Sequence, residues 1–250
     1  MPASNQTIPT AIVTGASRGF GRAVAGALHA DGARVVAVAR SAEPLESLRD
    51  ELGERLIPVV ADAADPVVAG MLVGRYEPDV LVLNAGAAPL PRPLHEHTWE
   101  TFSRNWDVDV RHAFHWLREA LLQPLRPGST VVVMSSGAAL FGSPLSGGYA
   151  GAKATVRFIT GYAADESARA GLGIRFVSVL PKLTPATDIG AMAAEAYARR
   201  NDMTVEAYLE EVGPGITPED VGKATLELVS AAEHDAGAFL LTPAGLSPLQ

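Results

Sequence analysis

Cysteine is absent from this 250-residue sequence, which excludes disulfide bonds, thiol nucleophiles and metal sites with cysteine ligands. The absence does not identify a compartment, because reducing and oxidising environments both contain cysteine-free proteins. Lysine and arginine form no run long enough to neutralise several phosphates, and the formal net charge is -8. That charge argues against a nucleic-acid partner and against an anionic membrane surface.

Long apolar runs are also missing, since no stretch of about 18 uninterrupted apolar residues is present. The first residues lack a basic region followed by an apolar core, which is the pattern of a secretory signal. We therefore expect no membrane partner and a cytoplasmic location. We expect residues 1–8 to be a flexible N-terminal segment and residues 9–250 to form a single domain, because large α/β folds reach this length as one unit.

Short apolar runs alternate with longer amphipathic runs along the whole chain, a pattern typical of strands and crossover helices in a parallel sheet. The predicted strands are residues 10–14, 34–39, 56–61, 80–83, 130–134, 175–180 and 238–241. Two helix starts are marked by a capping residue before a proline, at Asp65 and Thr217. The sequence predicts an α/β doubly wound, seven-stranded parallel sheet with helices on both faces, a Rossmann-like fold, and a helical lid over residues 187–215.

A glycine-rich turn follows the first predicted strand, in the run from Thr14 to Gly21, and a helix is predicted from Arg22 to Ala30. Such a turn lets backbone N–H groups approach a diphosphate, while the helix N-terminus favours its negative charge. The spacing differs from G-x-G-x-x-G, and three glycines in eight residues also occur in simple tight turns. Its position directly after the first strand favours nucleotide binding.

Tyr149 and Lys153 stand four residues apart, thirteen positions after Ser136. With five tyrosines and three lysines in the chain, about 0.06 such pairs are expected by chance. On a helix this spacing places phenol and ammonium on one face, where a cation lowers the pKa of a tyrosine from its usual value of about 10. The pair therefore indicates a proton donor for a carbonyl group.

Together these segments resemble the short-chain dehydrogenase/reductase family, whose members open with Thr-Gly-x-x-x-Gly-x-Gly and carry an Asn-Ala-Gly turn and a Ser, Tyr, Lys set. The matching segments are residues 14–21, 83–86, 135–136 and 149–153. The resemblance covers nearly the whole chain, and the motifs are jointly specific. It implies an oxidoreductase that moves hydride between a nicotinamide cofactor and a carbonyl or secondary alcohol.

The resemblance also implies the site residues. Tyr149 would protonate the carbonyl oxygen, Ser136 would hold that oxygen, and Lys153 would lower the pKa of the tyrosine and grip the nicotinamide ribose. The residues assigned to the cofactor are Gly15, Ser17, Arg18, Gly19, Phe20, Gly21, Arg40, Ser41, Asp62, Asn84, Ala85, Gly86, Tyr149, Lys153, Pro181 and Thr184. No metal is assigned.

The preferred cofactor is predicted from charge at the end of the second strand. An acidic residue there binds the ribose 2′-hydroxyl of NAD, but Ala39 occupies the position and Arg40 and Ser41 follow. Arg18 is a second cation suited to a 2′-phosphate. We therefore expect NADP(H), the alternative being that both arginines are ordinary surface residues.

Three positions depart from the family pattern. Asp109 stands where many members have an asparagine that holds a proton-relay water, and its charge would favour the ammonium form of Lys153 if the two approach. It is therefore kept as a fourth catalytic candidate. Lys182 replaces the glycine of a Pro-Gly pair and is either solvated or in contact with an acidic substrate or cofactor phosphate. The usual glycine-rich ending is replaced by residues 242–245. The altered loop after the sixth strand leaves Thr184 and Thr187 as alternative partners of the nicotinamide amide.

The remaining polar and aromatic clusters favour structural roles. Residues 95–97 and the pair His112 and His115 have metal-like spacing, but a proline-rich loop and a helix predicted to pack against a partner subunit argue against metal. Four aromatic side chains are expected to be core and interface anchors: Trp99, Trp106, Phe114 and Trp116. Family resemblance implies a homodimer or homotetramer.

Pocket walls are expected at residues 87–94, 138–146 and 187–215, which are poor in charge and predict an apolar ketone, aldehyde or alcohol as substrate. Two other functions stay open: a catalytically silent NADP-binding sensor or scaffold, and a nucleotide-sugar epimerase or dehydratase. The second is disfavoured because 250 residues leave no room for a sugar-binding domain.

Overall fold

The computed structural model describes residues 9–231 and 236–249, so the segment 1–8 predicted to be flexible lies outside the described residues. The strands are β1 (Thr10–Thr14), β2 (Arg34–Ala39), β3 (Leu56–Val60), β4 (Val80–Leu83), β5 (Thr130–Met134), β6 (Arg175–Pro181), β7 (Ala238–Thr242) and β8 (Gly245–Leu249). The helices are α1 (Gly19–Ala30), α2 (Ala42–Leu52), α3 (Pro66–Tyr76), α4 (Trp99–Asn105), α5 (Arg111–Leu122), α6 (Ala138–Phe141), α7 (Tyr149–Arg169), α8 (Asp188–Arg200), α9 (Val205–Val212) and α10 (Pro218–Ser230).

All strands join one sheet in the order β3-β2-β1-β4-β5-β6-β7-β8. The first seven run parallel, which confirms the predicted doubly wound sheet, and their bounds agree with the predicted strands to within one residue. An eighth strand, which the sequence reasoning did not include, pairs antiparallel with β7. The chain order reverses between β1 and β4, and this switch point is where doubly wound sheets bind ligands.

Successive strand residues point to opposite faces of the sheet, so each strand contributes to two cores. On one face Ala11 and Val13 join a cluster with Val24 of α1 and Val221 of α10. On the other face Ile12 joins a cluster with residues of α3, α5 and α7, including the fully buried Trp116. The near-continuous burial of strand residues is what a sheet covered on both faces requires.

The predicted helix starts at Asp65 and Thr217 are confirmed. The Asp65 carboxylate accepts a hydrogen bond from Val67 N, and Thr217 forms a capping box with Asp220. Helix α1 begins at Gly19, three residues earlier than predicted. Residues 187–215 contain α8 and α9 without a strand. Among the described residues, no helix has the length and apolar content needed to cross a membrane.

Candidate active site

A cleft of about 940 Å³ opens at the carboxyl ends of the parallel strands, beside the switch point between β1 and β4. The sequence-predicted residues that line it are Gly15, Ser17, Arg18, Gly19, Phe20, Arg40, Ser41, Asp62, Asn84, Ala85, Gly86, Asp109, Ser136, Tyr149, Lys153, Pro181 and Thr184. Segments that are far apart in the chain therefore meet in one cavity. Gly21 is the exception, because it does not line the cleft.

The glycine turn has a backbone conformation that requires glycine. Gly15 and Gly19 have φ values of +67° and +52°, in the left-handed region that side chains disfavour. Gly21 acts differently: a Cβ there would lie 2.2 Å from Gly15 O, so its lack of a side chain lets α1 approach the turn. The turn and the first residues of α1 thus form a cradle that an anion can enter without meeting side chains.

Hydrogen bonds between β1 and β4 fix this cradle. Thr14 Oγ1 donates to Val82 O and accepts from the backbone N–H groups of Asn84 and Ala85. The Asn84 side-chain amide donates to Thr14 O at 3.1 Å and to Gly15 O at 3.2 Å. Asn84 therefore holds the glycine turn in place, in addition to lining the cleft.

The rim beyond β2 carries the residues predicted to choose the cofactor. Ala39 ends β2, and Arg40 and Ser41 are exposed beside the cleft. Arg18 is also exposed, but its Nη1 lies 2.6 Å from Asp188 Oδ2 at the start of α8. The rim is therefore cationic, and the segment 187–215 touches the glycine turn through an ion pair.

The catalytic candidates occupy two neighbouring elements. Ser136 follows β5, and its Oγ accepts a hydrogen bond from Ala138 N at 3.2 Å. Tyr149 begins α7, and Lys153 lies one turn later with its Nζ 5.8 Å from the tyrosine ring centroid. Lys153 is buried and its Nζ donates to Met134 O at 3.0 Å. The predicted helical spacing places both side chains on the cleft.

Asp109 lies in a π-helical turn, Trp106–Val110, between α4 and α5. Such turns re-aim side chains and often occur at functional sites. Its Oδ1 accepts from Ala87 N at 2.7 Å, and its Oδ2 lies 3.3 Å from Lys153 Nζ. The side-chain amide of Asn105 donates to Ala87 O, so both the N–H and the carbonyl of Ala87 are held by side chains.

Asp109 and Lys153 approach each other closely, which was the condition for Asp109 to favour the ammonium form of Lys153. Both side chains are removed from solvent, with 1% and 8% of their surfaces exposed. Burial is the largest influence on the Lys153 pKa and acts to lower it, but the charges of Asp109 and Tyr149 and the hydrogen bond to Asp109 outweigh it. The net result is a raised pKa, which keeps Lys153 an ammonium.

His112 is a cleft residue for which the sequence reasoning gave no role in the cleft. It is 2% exposed, its Nε2 has no hydrogen-bond partner among the described residues, and its ring packs edge-on against Trp116. Burial, followed by the charge of Lys153, lowers its pKa to about 3, so the imidazole is neutral. No group of three metal-ligating side chains is positioned for a metal ion in residues 9–231 and 236–249.

The outer cleft is formed by the three segments predicted as pocket walls. Pro89, Leu145 and Val212 represent these segments, and the stacked rings of Tyr197 and Tyr208 close the side formed by α8 and α9. The two tyrosines were not singled out from the sequence. Their position could have been found from the predicted lid alone, because they are its only aromatic residues.

The three residues left open after β6 all line the cleft. The hydroxyls of Thr184 and Thr187 donate to Lys182 O and Thr184 O. Thr187 also caps α8 by accepting from Gly190 N. Lys182 is exposed and stands beside Gly137. Both threonine hydroxyls thus have a structural partner, and neither is distinguished from the other as a ligand contact.

The sequence profile described as short chain dehydrogenase matches residues 9–198, more than two thirds of the chain. The chain belongs to the short-chain dehydrogenase family. It is 33% identical over 249 residues to an L-rhamnose 1-dehydrogenase (NAD(P)(+)) of Sphingomonas sp. strain SKA58, with 95% of each chain covered.

Further similarities extend over most of the chain. A cis-4-hydroxycyclohexanecarboxylate dehydrogenase of Sinomonas cyclohexanicum is 32% identical, over 94% of this chain and 95% of the relative. A solved short chain dehydrogenase from Burkholderia cenocepacia J2315 in complex with NADP is 29% identical, with a TM-score of 0.77 and coverage of 92% and 94%. This short-chain dehydrogenase is therefore an oxidoreductase with a site for a nicotinamide dinucleotide.

Proposed function

We propose that this chain is an NADP(H)-dependent oxidoreductase acting on a small carbonyl compound or secondary alcohol, with Tyr149 as general acid and base. The observation that best supports this function is the buried Lys153 ammonium beside Tyr149, in the same cleft as the glycine turn. A buried charge is retained only where it is paired or has a function, and this one adjoins a phenol.

The residues present fit a dinucleotide, because the glycine turn presents backbone N–H groups and the N-terminus of α1 without side chains in the way. The bound cofactor supplies the hydride. Tyr149 exchanges a proton with the substrate oxygen, and such positioned transfers contribute about 10²–10⁴ in rate. Ser136 Oγ accepts from Ala138 N, so its own O–H is free to donate to the substrate oxygen.

Lys153 donates one ammonium proton to Met134 O and forms an ion pair with Asp109 at 3.3 Å. A further ammonium proton remains for a ribose hydroxyl or for Tyr149. Asp109 acts through Lys153 and is therefore a positioning residue. Ala87 N holds its carboxylate, and the carboxylate in turn fixes the position of the ammonium. An ionised carboxylate only accepts hydrogen bonds, so it cannot donate as the family's asparagine does.

The preference for NADP(H) is supported by Arg18 and Arg40 on the rim and by the missing acid at Ala39. A guanidinium binds a phosphate through paired N–H groups, whereas an acid would repel it. The B. cenocepacia relative was solved with NADP, and the Sphingomonas relative is named for NAD(P)(+). These names support a nicotinamide dinucleotide as cofactor, and the positive charges on the rim support NADP(H), which carries the 2′-phosphate.

Three further features of the molecule belong to this proposal. Residues 187–215 would act as a lid, which is supported by the contact between Asp188 and Arg18. The apolar outer walls favour substrates with an apolar segment beside the reacting carbon. Homo-oligomerisation is supported by exposed apolar side chains on α5 and α7, among them Phe114, Leu122 and Phe158. The cytoplasmic location stays a prediction.

The catalytic proposal is tested by following NADPH oxidation against a panel of ketones and aldehydes. We expect Tyr149→Phe to reduce kcat by at least about 100-fold while NADPH binding persists. Tyr76→Phe, which removes a tyrosine hydroxyl outside the cleft, is the matched control. NADPH binding without Tyr149-dependent turnover of any substrate would instead support a silent sensor and would overturn the proposal.

The cofactor preference has its own test. Arg40→Asp places an acid after β2 and should shift the ratio of NADPH to NADH affinity toward NADH by at least tenfold, because it replaces attraction to a phosphate by repulsion. Arg49→Asp on the exposed side of α2 makes the same charge change as a control. An equal shift in both variants would leave Arg40 without a role in selectivity.

A further inference from the structure

A second pocket of about 390 Å³ lies next to the cleft and is bounded by the loop after β4 and the last turn of α8. Pro91 and Leu145 line both cavities, so the two share a wall. The second pocket is distinguished by its charge: three arginines, Arg92, Arg199 and Arg200, contribute to it. This is a concentration of cations in a chain whose net charge is -8.

None of these arginine side chains makes a hydrogen bond or ion pair within residues 9–231 and 236–249. Among the described residues that line this pocket, Glu96 is the one carboxylate, and its Oε1 lies 3.9 Å from His95 Nε2. The negative end of the α8 dipole favours Arg199 and Arg200 in the last helical turn. It does not account for Arg92, which comes from a different segment and faces the same cavity.

The shared wall connects this charge to the catalytic cleft. Tyr197 lines the cleft one helical turn before Arg200. Burial raises the pKa of the Tyr197 hydroxyl, while the backbone of Leu145 and the positive charge of Arg200 act in the opposite direction. Arg200 lies one turn from Tyr197 on α8, and the two cavities adjoin at Pro91 and Leu145, so the arginines lie beside the outer part of the cleft.

We propose that the pocket of Arg92, Arg199 and Arg200 is an anion subsite that receives a carboxylate or phosphate at the end of the substrate remote from the carbonyl. This inference rests on the proposed function, because the other end of the substrate must reach Tyr149. It narrows the substrate class to carbonyl compounds with an apolar middle and an anionic end. Arginine suits this role because its planar N–H groups pair with two oxygens of either anion.

The test uses methyl ketones with a terminal carboxylate and increasing chain length, each paired with its methyl ester, in the NADPH assay with the full chain. We expect kcat/KM of the acids to peak at one chain length and to exceed that of the matching ester at least tenfold. The esters, lacking the charge, should show no such preference. In the variant Arg92→Ala/Arg199→Ala/Arg200→Ala the acid-to-ester ratio should fall by at least tenfold.

Arg169→Ala, which removes an exposed arginine at the far end of α7, is the charge control and should leave the ratio unchanged. Glu96→Gln should raise the ratio, because it removes the one negative charge in the wall. The same ketone series is also made with a terminal phosphate. The anion with the higher ratio of kcat/KM, charged compound to ester, is the one that the pocket prefers. An acid-to-ester ratio near one in the wild type, or an equal ratio in the triple variant, would overturn the subsite.

A binding measurement separates this inference from the proposed function. Succinate and inorganic phosphate are titrated into the protein and its triple variant, and binding is followed by thermal shift. Loss of anion-dependent stabilisation in the triple variant supports the subsite even if no carbonyl is reduced. Turnover of neutral ketones with anion stabilisation equal in both proteins retains the proposed function and rejects the subsite.

Discussion

Two ion pairs face the same cleft, one at its floor and one at its rim. Lys153 and Asp109 lie 3.3 Å apart with almost no exposed side-chain surface, whereas Arg18 and Asp188 lie 2.6 Å apart with 77% and 69% of their side-chain surfaces exposed. The rim pair is the closer of the two. Distance alone would rank it as the stronger interaction.

Burial reverses that ranking. Exposed pairs contribute about 0–1 kcal/mol because water and salt screen the attraction, while breaking a buried pair leaves a charge with neither water nor partner. The floor pair also has fixed neighbours, Met134 O on Lys153 and Ala87 N on Asp109. We therefore expect the floor to behave as a rigid part of the fold and the rim to respond to ligand and salt.

The largest effect is expected from Asp109→Ala, which leaves the Lys153 ammonium buried and unpaired. The free energy of unfolding should fall by about 3–5 kcal/mol. Asp188→Ala at the rim is the comparison and should cost less than about 1 kcal/mol. Urea unfolding of both variants measures the difference. Equal costs would mean that water reaches Lys153 and that the two pairs are alike.

A second effect comes from His112, which is also buried at the floor. Its pKa is lowered to about 3, so between that value and about 6.5 the unfolded chain binds a proton that the folded chain does not. The folded state therefore loses stability as the pH falls through this range. His112→Gln should reduce the stability lost between pH 7 and pH 5 by about 2 kcal/mol, measured by urea unfolding. A loss unchanged by the substitution contradicts a neutral buried imidazole.

Asp109→Asn removes the charge of the floor pair and keeps an acceptor for Ala87 N. We expect a cost of about 3 kcal/mol at pH 7, the low end of the range for Asp109→Ala, because the neutral amide also leaves the buried Lys153 ammonium without a countercharge but keeps the bond to Ala87 N. Because the Lys153 pKa is raised in the folded chain, this contribution is complete below about pH 10 and is lost as the pH rises through the folded value. Unfolding curves of wild type and variant should therefore converge above that pH. A gap that does not narrow as the pH is raised above about 10 would argue that Lys153 is not the group responsible.

The smallest effect is expected at the rim. In Asp188→Asn, Arg18 loses its carboxylate partner, which competes with any phosphate for the same guanidinium. The Kd for NADP+ should fall by about two- to fivefold at low salt and the Kd for NAD+ should not change. Titration at two ionic strengths, followed by fluorescence quenching, measures both constants. An equal change for both cofactors would place the effect in the lid and not in Arg18.

The sheet and the cleft were predictable because they depend on local patterns. Apolar runs gave the seven parallel strands, and the glycine turn and the Tyr149–Lys153 spacing gave two walls of the cleft. Contacts between residues far apart in the sequence were harder to predict. Arg18 and Asp188 are 170 residues apart, and the sequence carries no signal for their pairing.

Two local features were missed for physical reasons. The π-helical turn at Trp106–Val110 has no composition that separates it from an ordinary helix, yet it sets where Asp109 points. His112 was assigned to a helix expected to face a partner, but the inward face of α5 buries it against Trp116. Helical periodicity predicts which face of a helix is apolar and buried. It does not predict that a single polar residue such as His112 is buried on that face.

The eighth strand has a consequence for how copies of this chain can meet. A parallel sheet ending at β7 would present a row of free backbone groups, which is a template for strand addition and aggregation. The turn after Thr242 brings Gly245–Leu249 back along β7, and Pro248 within it has no N–H to offer a further strand. β8 is therefore the edge strand of the sheet, and Pro248 disfavours assembly through continuation of the sheet on this side.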